Sequence, residues 1–181
     1  MTRHRCLAWV TVAVLAAGCR TNGDGALHAR WASIDTTLHH GSLSLPVRGT
    51  WCEARGRLTL LGLRGDTGVG ILVRTVKLGP GRFAVADTTA RPSPGASIAL
   101  RVTVGDNLFA LSADSGAVAL TSVGEGRVGG RFVAWLSRPS LGLVTLIGDF
   151  AAVPVEPDSV RCESFTPPAP ASPVPADSGV T

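Results

Sequence analysis

The chain has 181 residues, with 17 basic against 13 acidic side chains and 45% hydrophobic residues. This length corresponds to one ordinary domain, and the composition is too apolar and too weakly charged for a disordered chain. The basic residues are scattered along the sequence, and all but Lys77 are arginines. Because nucleic-acid binding needs clustered positive charge, we expect no nucleic-acid partner.

The amino terminus has the pattern of an export signal. Arg3 and Arg5 precede an apolar run over residues 6–17, which is followed by Gly18 and Cys19. A transmembrane helix needs about 20 apolar residues to cross a hydrocarbon core of ~30 Å, so this run is too short for a permanent span. It predicts a signal peptide over residues 1–18 and a mature chain outside the cytoplasm.

Residues 15–19, Leu-Ala-Ala-Gly-Cys, resemble the bacterial lipoprotein signal, in which small residues precede a cysteine. The resemblance implies that Cys19 is the lipidated first residue of the mature protein and that this lipid is the contact with the membrane. Arg20 stands where an aspartate would resemble an inner-membrane retention signal, so we expect the outer membrane. An ordinary secretory signal with an incidental cysteine is the alternative.

Two cysteines remain once the signal is removed and Cys19 carries lipid. In an oxidising compartment, Cys52 and Cys162 are expected to form a disulfide. The bond would close a loop of about 110 residues and, in the chain-entropy model, stabilise the fold by about 4 to 5 kcal/mol. Two cysteines far in sequence from the adjacent His39 and His40 make a poor metal site, so we expect no metal and no cofactor.

The composition divides the mature chain into three segments. A polar tether, residues 19–45, precedes a β-patterned domain, residues 46–164, and a Pro-rich tail, residues 165–181, whose prolines favour an extended chain. Asp24 can cap the start of a short amphipathic helix in the tether, and Gly41 can end it. That helix would pack on the sheet or lie on the membrane through four apolar residues at helical spacing, Leu27, Trp31, Ile34 and Leu38.

The body consists of short alternating runs separated by Gly and Asp turn signals, a pattern typical of antiparallel β-structure. Turns are expected at Gly105-Asp106-Asn107 and at Asp114-Ser115-Gly116. About eight or nine strands at this spacing indicate an all-β barrel or sandwich. The predicted strands are residues 49–53, 57–63, 69–76, 82–87, 97–104, 108–111, 117–122, 127–137 and 143–153.

The last predicted hairpin carries a signal for its own register. A pairing that starts from the short connection after residue 137 places Phe132 opposite Gly148 and Gly130 opposite Phe150. Each aromatic ring then covers the gap left by a glycine on the facing strand. The side chains on this face predict a filled core, without the ~300 Å³ or more that ligand pockets usually need: Val128, Phe132, Leu136, Val144, Leu146 and Phe150.

Two further resemblances concern the fold. Gly49-Thr50-Trp51, followed by the alternating residues 57–63, is similar to the opening of the calycin barrels, the lipocalin and avidin group, in which G-x-W begins the first strand. This resemblance implies a barrel that carries a small apolar ligand. Residues 116–155 resemble the closing hairpins of small, functionally uncharacterised envelope lipoproteins, which implies a β-domain in the cell envelope and no particular chemistry.

No group of residues indicates catalysis. Asp66-Thr67-Gly68 and Asp114-Ser115-Gly116 match the triplet of aspartic proteases, but Arg64-Gly65 precedes the first, and Asp-x-Gly is common in turns. The mature histidines all lie before residue 46, so a Ser-His-Asp set would need a base from outside the body. We therefore expect a non-enzymatic module that binds a protein or an envelope component, with a carrier of an apolar ligand as the alternative.

Overall fold

The computed structural model describes residues 25–34, 38, 40–86, 93–138, 142–158 and 162. The predicted signal peptide, Cys19 and the Pro-rich tail lie outside these residues. No helix in the described ranges is long and apolar enough to cross a membrane. A short 3-10 helix, Glu53–Arg55, follows the second of nine strands: β1 (Gly25–Ser33), β2 (His40–Cys52), β3 (Arg57–Arg64), β4 (Thr67–Arg74), β5 (Gly81–Ala86), β6 (Gly95–Val104), β7 (Asn107–Gly124), β8 (Arg127–Arg138) and β9 (Gly142–Pro157).

The strands close into a barrel in the order β1-β2-β3-β4-β6-β5-β7-β8-β9. Strand β1 closes the ring, because it pairs antiparallel with β2 on one side and with β9 on the other. Two parallel contacts accompany the antiparallel ladders, one between β5 and β6 and one between the ends of β2 and β9. The predicted all-β fold is confirmed, and the architecture is a barrel and not a sandwich.

The predicted amphipathic helix is wrong for residues 25–33, which form β1. Leu27 and Trp31 are four residues apart, an even spacing that fits the two-residue period of a strand as well as it fits a helical turn. Ile34, which the helix needs on the same face, is 85% exposed. The barrel therefore begins with β1 and not at residue 46, because β1 fills the ring between β2 and β9 except where the ends of those two strands pair directly.

Strand β7 replaces two predicted strands and the turn expected between them. Gly116 has a φ of 143°, and the register with β8 shifts just before it, as in a β-bulge. A Cβ on Gly116 would collide with the carbonyl oxygen of Val133, so only glycine fits where β8 approaches. The Asp114 carboxylate accepts a hydrogen bond of 2.9 Å from the Ser137 backbone N–H and another from the Ser137 hydroxyl. Asp-Ser-Gly here is thus a bulge tied to β8, and the chain does not turn.

The register predicted for the last hairpin is confirmed. Phe132 lies opposite Gly148, and Gly130 lies opposite Phe150. A Cβ built on Gly148 would lie 2.5 Å from Cζ of Phe132, and one on Gly130 would lie 2.7 Å from Cζ of Phe150. Each ring therefore occupies the space that a side chain on the facing strand would need.

The barrel interior is packed with apolar side chains. Among the described residues, no polar or charged side chain is buried. In a hollow barrel, the inward side chains would keep surface that a water molecule in the cavity could contact. The largest inward side chains of this barrel keep almost no such accessible surface. These are Leu27, Leu58, Leu60, Ile71, Ile98, Leu100, Leu136, Leu146 and Phe150.

The rim at which β1 begins, here called the amino-terminal rim, also holds the ends of β2 and β9. Cys52, the last residue of β2, forms a disulfide with Cys162, with 5.5 Å between their Cα atoms, as the sequence predicted. The Asp158 N–H donates to the Trp51 carbonyl oxygen at 3.0 Å beside it. The Gly-x-Trp sequence thus lies in the second strand of this barrel and not in the first, with Trp51 partly buried against the core.

Candidate interaction face

The outward surface of β5, β7, β8, β9, β1 and β2, here called the six-strand face, carries several open grooves, two of which adjoin each other. The larger groove, of about 690 Å³, crosses β8, β9, β1 and β2, and the smaller one, of about 550 Å³, crosses β5, β7, β8 and β9. Arg131, Ile147 and Gly148 line both. The two grooves therefore lie side by side and share these residues as a common wall.

The register of the six strands sets their outward residues in cross-strand rows. The charged row, nearer the amino-terminal rim, consists of Arg82, Ala119, Arg131, Asp149, His28 and Ser44. The next row, here called the apolar row, consists of Ala84, Ala117, Val133, Ile147, Arg30 and Ser42. Beyond it Trp135 faces Thr145. Neighbouring rows lie about 7 Å apart, since a strand rises about 3.4 Å per residue.

The apolar row leaves large hydrophobic side chains open to solvent. Ile147 is 41% exposed and Trp135, one row further along β8, is 40% exposed. Ala84 on β5 adds a small exposed apolar side chain to this surface, whereas Ala117, between it and Val133 on β7, is buried. The result is a flat apolar strip that no other described part of the chain covers.

Three arginines surround this strip. Among the described residues, no hydrogen bond or ion pair engages the guanidinium groups of Arg30, Arg82 and Arg131. On the other side of the barrel, by contrast, Arg101 forms an ion pair of 2.9 Å with Asp66. The only carboxylate of the charged row is Asp149, which stands on the strand between Arg131 and His28. Positive charge is therefore in excess in the charged and apolar rows of the six-strand face.

The same row brings a serine, a histidine and an aspartate onto adjacent strands. Ser44 lies opposite His28, which lies opposite Asp149. All three side chains are exposed, and no hydrogen bond links them in the described structure. A catalytic triad needs a base bonded to both its nucleophile and its orienting carboxylate. This arrangement therefore does not make an activated serine.

The two Asp-x-Gly triplets also have structural roles. Asp66 is paired with Arg101 at a turn, and Asp114 ties the bulge of β7 to β8. Within the described ranges, no group of three or more His, Cys, Asp or Glu residues could hold a metal ion. The lipidation site predicted at Cys19 lies outside the described residues. So does His39, the first residue of the adjacent pair His39 and His40.

The sequence interpretation missed the six-strand face. It assigned His28 and Arg30 to a helix and singled out neither Trp135 nor Ile147. One signal was available, because the confirmed hairpin register already places Arg131 opposite Asp149 and Val133 opposite Ile147. Comparison of the chain with protein-family models, with curated proteins and with solved structures finds no match.

Proposed function

We propose that this protein is a lipid-anchored component of the bacterial cell envelope whose barrel is a non-enzymatic binding module. Its partner is a protein or another envelope component, and the binding surface is the six-strand face. The observation that carries the proposal is the apolar strip of exposed Ile147 and Trp135 and half-buried Val133, flanked by arginines whose guanidinium groups no described residue engages. Exposed apolar patches edged by polar residues are typical of interaction sites.

The packed interior favours surface binding over the carrier alternative. A carrier of a small apolar ligand needs a cavity of about 300 Å³ or more, lined by side chains that face the ligand. The interior side chains of this barrel contact each other instead, and the two phenylalanine rings fill the spaces beside Gly130 and Gly148. The grooves of that size on the six-strand face are open and lie outside the barrel.

A lipid on Cys19 would orient the barrel favourably for this role. Six peptide steps separate Cys19 from Gly25, so the amino-terminal rim could lie at most about 20 Å from the bilayer. The six-strand face is on the side of the barrel and not on that rim. It would therefore stay open to the aqueous compartment and accessible to a partner.

Cys19→Ser is expected to abolish membrane attachment. The variant lacks the thiol that would carry the lipid, while its barrel is unchanged because Cys19 precedes β1. The measurement is fractionation of cells into membrane and soluble envelope fractions, followed by intact-mass analysis for acyl groups. A variant that stays in the membrane fraction, or a wild-type protein without lipid, would remove the anchor from the proposal.

A photoreactive amino acid at position 147 is expected to crosslink to a partner in the cells that produce this protein. Leu61 is the matched control position, because it is also an outward apolar residue and is 49% exposed on β3, outside the six-strand face. Crosslinked products are separated from uncrosslinked protein and identified by mass spectrometry. Equal crosslinking from positions 147 and 61, or none from position 147, would contradict binding at the six-strand face.

A further inference from the structure

We propose, building on the function above, that the six-strand face binds a protein segment in which apolar side chains stand beside carboxylates. The apolar side chains would contact Val133, Ile147 and Trp135, and the carboxylates would pair with Arg30 and Arg131. The partner's binding segment is thus acidic and amphipathic.

The positions of the arginines around Ile147 carry this inference. Arg30 lies directly opposite Ile147 on β1, at the ~5 Å spacing of paired strands. Arg131 lies diagonally from Ile147 on β8, one row nearer the amino-terminal rim, at roughly 7 to 8 Å. An exposed isoleucine therefore has a guanidinium on each side. A partner that buries Ile147 must also supply negative groups that pair with these two positive charges, since an unpaired charge buried in an interface is costly.

The side-chain types favour a polypeptide as the partner. Arginine and tryptophan are enriched in protein interfaces and dominate their binding energy, whereas lysine is depleted. The six-strand face presents Arg30, Arg82, Arg131 and Trp135, and none of its outward residues is a lysine. The guanidinium fork pairs with carboxylates in a bidentate geometry, which a lysine cannot match.

A second copy of this chain fits the face poorly. Two copies joined through the charged and apolar rows would bring six arginines together with only two Asp149 carboxylates, because these rows hold three arginines and one aspartate in each copy. Like charges placed together oppose association. The complementary surface must therefore be supplied by another protein.

Charge variants of the full-length protein with the photoreactive residue at position 147 test the inference. Arg131→Glu is expected to reduce the crosslinked fraction about tenfold, because it places a carboxylate against the partner's carboxylates. Arg131→Lys should reduce it less than Arg131→Glu does, because it keeps the positive charge and loses only the bidentate geometry. Asp149→Asn should increase it, since it removes the one carboxylate of the charged row, which would repel the partner's carboxylates. Arg101→Glu, which makes the same charge change outside the face, should leave it unchanged.

Sequencing of the crosslinked peptide gives the second readout. A segment with Asp or Glu beside apolar residues supports the inference. A neutral or basic segment, a second copy of this chain, a lipid or a glycan would overturn it, as would an Arg131→Glu variant that crosslinks like the wild type. In those cases crosslinking at position 147 would still support binding by the face, so failure of the charge inference is distinguishable from failure of the proposed function.

Discussion

Phe132→Ala is expected to lower the free energy of unfolding by about 3 to 5 kcal/mol, the usual cost of deleting a buried phenylalanine. Phe132 is 3% exposed, and its ring fills the space beside Gly148 on the facing strand. Gly148 has no side chain that could move into the cavity. A Cβ on Gly148 would also collide with the carbonyl oxygen of His28, so position 148 contributes no side chain that could fill the space.

Val133→Ala is the matched control, since Val133 is the next residue of β8 and points outward. It should cost about 1 kcal/mol or less, because its side chain is only partly buried. Urea unfolding of both variants gives the two values, provided that each transition is two-state. A loss below about 1 kcal/mol for Phe132→Ala would contradict a packed core. An apolar molecule that copurifies with the wild type and is lost from this variant would favour the carrier.

The part of the fold that the sequence predicted best is the part held by local pairing. The last hairpin places aromatic and glycine residues alternately on two strands joined by a short connection, so only one register covers both glycines. Ring closure has no such local signal. Strand β1 pairs with β9, which comes from the other end of the domain. The alternation of large apolar and polar side chains along β1 is also weak, because the buried position 29 is occupied by the small Ala29.

The predicted number of strands agrees with the structure for a reason the sequence did not reveal. The tether supplies one strand that was not predicted, and β7 absorbs two that were. Asp-Ser-Gly reads as a turn because turns and bulges both favour a glycine with positive φ. The continued pairing with β8 and the hydrogen bonds from Ser137 to Asp114 distinguish the two, and both depend on the position of β8.

The interaction face could not be predicted because its rows exist only in the closed barrel. His28 and Asp149 come from opposite ends of the domain and become neighbours through the pairing of β1 with β9. When the tether is predicted as a helix, β1 does not exist, so Arg30 is not placed beside Ile147 and the arginines show no cluster. The even scatter of arginine along the sequence, which argues against a nucleic-acid patch, is therefore compatible with an excess of positive charge on one face.

Replacing both Cys52 and Cys162 by alanine is expected to lower the free energy of unfolding by about 4 to 5 kcal/mol in the chain-entropy model. The disulfide spans 110 residues, and its main effect is to restrict the unfolded chain. The folded state should change little, because the parallel contact between β2 and β9 and the hydrogen bond from Asp158 to Trp51 hold the same segments together. Alanine is preferred to serine, since Cys52 is buried and a hydroxyl there would be costly.

Reduction of the wild-type protein is the matched control for this variant. The reduced protein should unfold at the same urea concentration as the double variant, and the dependence on urea should be steeper for both, because an unfolded chain without the crosslink exposes more surface. Circular dichroism of the folded forms should be unchanged. A midpoint that does not respond to reductant, or two free thiols found by mass spectrometry in mature protein from the envelope, would show that the bond does not support the barrel. The barrel would then depend for its closure on the β1 ladders and on the parallel contact between β2 and β9.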